Sequence, residues 1–166
     1  MKRIPIDLTE LAALMSESFD ENRVFLDTDT GEIVLLPSEL IDPLLDDEDD
    51  ELNEDDLPDW EVEMLPVARA VAADDAGRYV GLPEPDPGED AAIMRSFAAS
   101  LKDAALRERL LDAVSGPHPF RRFRQIIDTA PEQRDKYLEF KGEEYLRLAR
   151  EWLNDLGIEP VEPPAG

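Results

Sequence analysis

Cysteine is absent from the 166 residues, and histidine occurs once, at His118. The first absence excludes disulfides, thiolate zinc sites and cysteine nucleophiles. The second leaves too few imidazoles for a histidine-rich metal centre or a serine–histidine relay with a spare. No apolar run approaches the roughly 20 residues that a membrane-spanning helix needs. The N-terminus, Met1-Lys2-Arg3-Ile4-Pro5-Ile6-Asp7, meets acid before any apolar block, so a secretory leader is not expected. The expectation is a soluble, cytoplasmic protein without a membrane partner and without a cofactor.

Basic residues are scarce as well, 17 against 41 acidic, for a net charge of −24. The imbalance is uneven along the chain. Residues 1–90 carry 5 bases and 28 acids, whereas residues 91–158 carry 12 and 11. From Asp42 to Glu63 there are 13 acids and no base. Such a run reads as a solvated, mobile insertion, here placed at residues 42–59; the functional alternative is a decoy that occupies a basic surface. The length suits one domain, residues 1–160, followed by a frayed tail at 161–166.

Local signals place the elements. Ile6-Asp7-Leu8-Thr9-Glu10-Leu11 is a helix start: Asp7 at the cap, Glu10 at the capping-box position, Ile6 and Leu11 as a staple. Val24-Phe25-Leu26-Asp27 and Ile33-Val34-Leu35-Leu36 flank a loop that ends in Gly31, which predicts a hairpin. The spacing Asp27-x-Asp29-x-Gly31 is read as a turn; a calcium loop would need a glycine after a third ligand and a closing glutamate. Pro37 to Leu40 opens a short helix that Pro43 and the acid run should end. Trp60 to Ala73 has helical spacing around Pro66, and Tyr79-Val80-Gly81-Leu82-Pro83 is short enough to be an extended connector or an edge strand that could add a third strand to the hairpin.

After Asp86 the chain reads as helical. Asp86-Pro87-Gly88-Glu89 is a start signal, a second helix runs from about Asp103 to Gly116, and a third opens at Phe120. Thr129-Ala130-Pro131-Glu132 reads as a capping box for the last and longest helix, with Tyr137, Leu138, Tyr145, Leu146, Trp152 and Leu156 on its broad apolar face and Gly157 as its stop. The fold class is α+β: an N-terminal helix and β-hairpin in a small antiparallel sheet, then a mainly α-helical C-terminal bundle.

Read in order, Ile4-Pro5-Ile6-Asp7, the turn Asp27-x-x-Thr30-Gly31, Arg78-Tyr79-Val80, Phe120-Arg121-Arg122-Phe123 and Trp152-Leu153…Gly157-Ile158-x-Pro160 form a set. The chain thereby resembles the small acidic bacterial proteins of the uncharacterised protein family series (UPF, number 0158), over roughly residues 1–160 apart from the acidic insertion. The resemblance implies a bacterial, cytoplasmic, single-domain protein with no known cofactor, and no activity to carry over.

The densest chemistry lies in Gly116-Pro117-His118-Pro119-Phe120-Arg121-Arg122-Phe123-Arg124. On a helix, Phe120, Phe123 and Ile127 share a face, which points to the core, and Arg124 can pair with Asp128 one turn on. Arg121, Arg122 and Arg124, joined by Arg134, Lys136, Arg147 and Arg150, could instead form an anion site, because guanidinium groups bind carboxylate or phosphate bidentately. His118 between two prolines is a loop residue beside that patch. No nucleophile or oxyanion motif accompanies it, so no catalytic or metal residue is assigned and a non-enzyme is favoured. The leading expectation is a regulatory or interaction protein that binds a protein partner through this surface or a hairpin edge. The alternatives are a nucleic-acid binder using the arginines, disfavoured by the interleaved acids, and a carboxylate-dependent enzyme.

Overall fold

The computed structural model describes residues 1–17, 21–46 and 54–163. Strand β1 (Lys2–Pro5) leads into helix α1 (Leu8–Met15), then strands β2 (Asn22–Asp27) and β3 (Ile33–Pro37) and helix α2 (Ser38–Leu45). Helix α3 (Asp59–Ala72) and strand β4 (Tyr79–Gly81) follow. The helices α4 (Pro87–Ala99), α5 (Ala104–Ser115), α6 (Pro119–Ile127) and α7 (Pro131–Asp155) come next, and strand β5 (Ile158–Val161) ends the chain of elements. The architecture is α+β. An antiparallel sheet in the order β3-β2-β4 is joined by a separate two-stranded parallel sheet of β1 and β5.

Capping chemistry sets several of the helix starts. Asp7 accepts from the Glu10 amide at 3.1 Å, Asp86 from Gly88 at 2.8 Å, and Asp103 from Ala105 and Leu106 at 3.1 and 3.2 Å. α7 starts differently. Thr129 donates its hydroxyl back to the Ile126 carbonyl at 2.6 Å, closing α6, and Ala130 occupies the cap of α7 with no side-chain bond.

β5 takes one residue, Val161, out of the expected tail at 161–166. Lys2 pairs with Ile158 and Pro5 with Val161 in parallel register, and the Lys2 amide donates to the Gly157 carbonyl at 2.9 Å. Gly157, at φ +76, turns the chain out of α7 and aims it at the N-terminus. Val161 is therefore part of a strand, Glu162 and Pro163 follow it exposed and outside any helix or strand, and 164–166 lie outside the described residues.

The expected acidic insertion at residues 42–59 is also partly built into the fold. α2 continues through Pro43 because Leu40, Ile41 and Leu44 are all buried against Leu65, Ala68 and Val71 of α3. Burying each such side chain contributes about 1.5–3 kcal/mol, which outweighs the roughly 3 kcal/mol that an interior proline costs. Asp42 is held by Arg23, whose Nε and Nη2 donate to it at 3.1 and 3.3 Å. Residues 47–53 of the run lie outside the described residues. At the same α2–α3 contact Glu61 is 2% exposed. Its hydrogen bond to Glu39, its burial and the Glu39 charge push its carboxyl above the usual range.

The C-terminal helices share a second core of Phe97, Leu101, Leu106, Leu110, Val114, Phe123 and Ile127. Its aromatic centre is Tyr137, with ring centroids 5.4 Å from Phe97 and 4.9 Å from Phe123. Tyr145 hydrogen-bonds to Asp90 and so ties α7 to α4; burial and that bond push its phenol up.

Candidate functional site

Two places gather charged or singular residues, and they differ in what they do. The first is a knot around the β2–β3 turn. Arg78 donates from Nε and Nη2 to the two oxygens of Asp27, both at 2.9 Å, and lies 3.4 Å from Asp29. Lys2 reaches Asp29 at 3.1 Å, and the Arg78 carbonyl accepts from the Thr28 amide and hydroxyl at 2.8 and 2.7 Å. Gly31 sits at φ +82, and a Cβ there would lie 2.0 Å from the Pro5 carbonyl oxygen, so only glycine fits. Asp27 is held down to about 2, chiefly by the hydrogen bonds from Arg78 and against its burial. Pro5, Asp27, Thr28, Gly31 and Arg78 thus lock the chain's beginning, the hairpin and β4 together, and every charge is matched.

The second place is a groove of about 610 Å³ between α6 and α7. Phe120, Arg121, Phe123, Arg124, Ile127 and Asp128 line it from α6 and its end; Arg134, Tyr137, Leu138 and Lys141 line it from α7, and Met94 of α4 reaches its floor. Both helices contribute residues at i, i+3, i+4 and i+7 spacing, which is one helical face each. Phe123, Ile127 and Met94 are buried, whereas Phe120 and Leu138 stand 45% and 57% exposed at the rim. Burial pushes the Tyr137 phenol up to about 12, so it lines the groove as a neutral group.

The expectation that Phe120 belongs to the core is corrected by this geometry. Ile126 shares the buried side of α6 with Phe123 and Ile127. With about 100° per residue, those three centre the core face about 60° away from Phe120. Phe120 is left on the shoulder beside Arg124. Leu138 is displaced in the same way from the broad face of α7, whose buried residues are Tyr145, Ala149 and Leu153.

The four residues singled out by sequence divide. Arg121 and Arg124 are exposed in the groove, with no hydrogen bond or ion pair among the described residues. In particular, Asp128 is approached by Arg134 at 4.0 Å, not by Arg124. Arg122 faces the other way and meets Asp112 of α5 at 3.5 Å. A Cβ on Gly116 would lie 2.2 Å from its guanidinium, so the glycine makes room for this brace across the α5–α6 turn. His118 is the exposed cap residue of α6, in the left-handed region at φ 50, and it is outside the groove. Of the other bases considered, Arg134 lines the groove, Arg147 is tied to Glu144 and Glu151 at 3.0 and 2.7 Å, and Lys136 and Arg150 lie elsewhere. Lys141, which the sequence reading missed, completes the rim, with its ammonium 5.9 Å from the Tyr145 ring centre. Its signal was the seven-residue spacing from Arg134.

Among the described residues no group of three acids or histidines is placed to hold a metal, and no helix is long and apolar enough to cross a membrane. The groove instead offers an apolar floor, two exposed apolar knobs and four cations against one carboxylate. Such a lining can hold apolar side chains and receive carboxylates in charge-assisted hydrogen bonds.

The fold and the groove together define a small α+β protein with a cation-rimmed helix–helix surface. A family model described as "Uncharacterised protein family (UPF0158)" matches residues 1–163, and the chain belongs to that family. Comparisons with curated proteins and with solved structures give no match.

Proposed function

We propose that this protein is a non-enzymatic interaction protein whose α6–α7 groove docks an acidic, apolar-anchored segment of a protein partner. One observation carries the reading: Phe120 and Leu138 stand exposed beside Arg121 and Arg124, which have no acid partner among the described residues. A partner helix that presents apolar anchors at i, i+3, i+4 and i+7 with flanking acids would fill the groove and neutralise its rim. Exposed apolar knobs favour this reading over nucleic acid, whose backbone asks for unopposed positive charge.

The test is fluorescence anisotropy with a labelled amphipathic peptide carrying leucines and glutamates, competed by a single-stranded RNA oligomer. The acidic peptide should bind, a basic peptide of the same apolar pattern should not, and Arg121→Glu/Arg124→Glu should weaken binding at least about tenfold, or 1.4 kcal/mol. Equal binding by the double variant would sink the reading. Displacement by RNA with a steep salt dependence would transfer the groove to nucleic acid.

A further inference from the structure

The groove has a complement on this same chain. α3 buries Leu65, Ala68 and Val71 against α2 and turns Trp60 and Val67 outward, 55% and 41% exposed. Trp60 and Val67 are an i, i+7 pair, so they lie on one face; half-buried Met64 lies between them, and Asp59 and exposed Glu63 flank them. That is an acidic amphipathic face with an indole anchor, the class of ligand the groove fits. Tryptophan is also the residue type most enriched among the energetic anchors of interfaces.

We propose that the groove's occupant is a second copy of this chain. In the pair, α3 of one molecule lies in the α6–α7 groove of the other. Trp60 and Val67 pack against Phe120 and Leu138, and Asp59 and Glu63 face Arg121 and Arg124. The spacings agree: Asp59 and Glu63 are one helical turn apart, as are Arg121 and Arg124, so both pairs can form at once. Reciprocal insertion closes a two-fold pair with two equivalent contacts. The inference rests on the groove being a docking surface and names its partner.

Net charge opposes association, because each chain carries −24. Two features limit that opposition. At about 0.15 M ionic strength charges more than about 8 Å apart are largely screened. In addition, the acid sits in residues 1–90, while residues 91–158 are nearly balanced at 12 bases and 11 acids. Contact between unlike halves is therefore the orientation that the charges disfavour least.

Sedimentation equilibrium on the full chain, at about 0.15 M ionic strength and from micromolar to millimolar protein, reads the outcome. The mass should rise from the 18.7 kDa of one chain toward twice that value. Trp60→Ala/Val67→Ser and, separately, Arg121→Glu/Arg124→Glu should each hold it at one chain. Mixing Asp59→Arg/Glu63→Arg with Arg121→Glu/Arg124→Glu should restore a pair from two monomeric variants. A wild type that stays monomeric throughout, or association untouched by both sets, overturns the inference. The acidic probe peptide separates this failure from that of the docking reading. Peptide binding by Trp60→Ala/Val67→Ser alongside a monomeric wild type removes the second copy alone, and a monomeric wild type with no peptide binding in any protein removes both.

Discussion

Arg78 and Arg124 are the same side chain in opposite circumstances. Arg78 gives both arms of its guanidinium to Asp27, a residue 3% exposed, and lies beside Asp29 as well. Arg124 stands at the rim of a groove with no carboxylate bonded to it among the described residues. In a chain with 41 acids and 17 bases, an arginine has partners in excess, so one left without a partner carries information. The knot uses its charges to fix the chain's own geometry. The groove holds its charges on the surface beside exposed apolar side chains, where a second molecule can meet them. Changes in the knot should therefore alter stability, and changes in the groove should alter association alone.

The largest effect is expected at Gly31. Any side chain there meets the Pro5 carbonyl and must also adopt φ +82. Gly31→Ala combines a left-handed penalty of about 1–2 kcal/mol with overpacking of about 1–3 kcal/mol, so a loss of roughly 3 kcal/mol is expected, or a Tm drop of about 10 °C. A Tm within a degree or two of wild type would mean that β1 can move off the hairpin, and the knot would not be a lock.

Next come two carboxyls whose pH dependences have opposite signs. Asp27 is lowered to about 2 by its bonds from Arg78. Its contribution to stability is complete above the unfolded value of about 3.9 and is lost as pH falls toward about 2. Glu61 is raised by Glu39 and by burial. Its contribution is present below the unfolded value of about 4.3 and is lost as pH rises through the raised folded value. Thermal melts across pH should show Asp27→Asn flattening the acid limb. Glu61→Gln should flatten the opposite limb and raise Tm at neutral pH. A Glu61→Gln profile that parallels wild type would show that the Glu39–Glu61 bond does not govern that limb.

These residues also show how far the chain could be read before folding. Helix starts at Asp7, Asp86 and Asp103 were legible because a cap is chemistry between residues two or three apart. The third strand at Tyr79 was legible from the marginal stability of a lone hairpin. The β1–β5 pair was not, since its partners are separated by nearly the whole chain and both segments contain proline, which hides the alternation of a strand. The site was half legible. The arginines and aromatics of α6 stood out, but whether Phe120 faced in or out depended on Ile126 and on what packs behind it. The α7 wall, Leu138 and Lys141, needed the tertiary fold, because Leu138 looked like one more core position and nothing set Lys141 apart until Arg134 was placed at the groove.

A smaller effect is expected at His118. It holds φ 50 without the freedom of glycine and precedes a proline. His118→Gly should relieve about 1 kcal/mol, partly offset by the added freedom of the unfolded chain. Urea denaturation should then give an equal or higher midpoint with an unchanged slope. A lower midpoint would assign the imidazole a contact that the geometry does not account for.

The smallest effect on stability, and the sharpest comparison, belongs to the groove arginines. Arg121→Ala/Arg124→Ala removes two exposed side chains with no partner among the described residues. Stability should stay within about 0.5 kcal/mol of wild type, the range of surface substitutions away from special features. Arg78→Ala, which strands the buried Asp27 carboxylate, should lower Tm clearly under the same conditions, and the loss should shrink as pH falls and Asp27 is protonated. Melting both proteins side by side decides the matter. Equal losses would mean that Arg121 and Arg124 also hold the fold together, and the distinction between knot and groove would go; a loss confined to Arg78→Ala leaves the groove cations available for a partner.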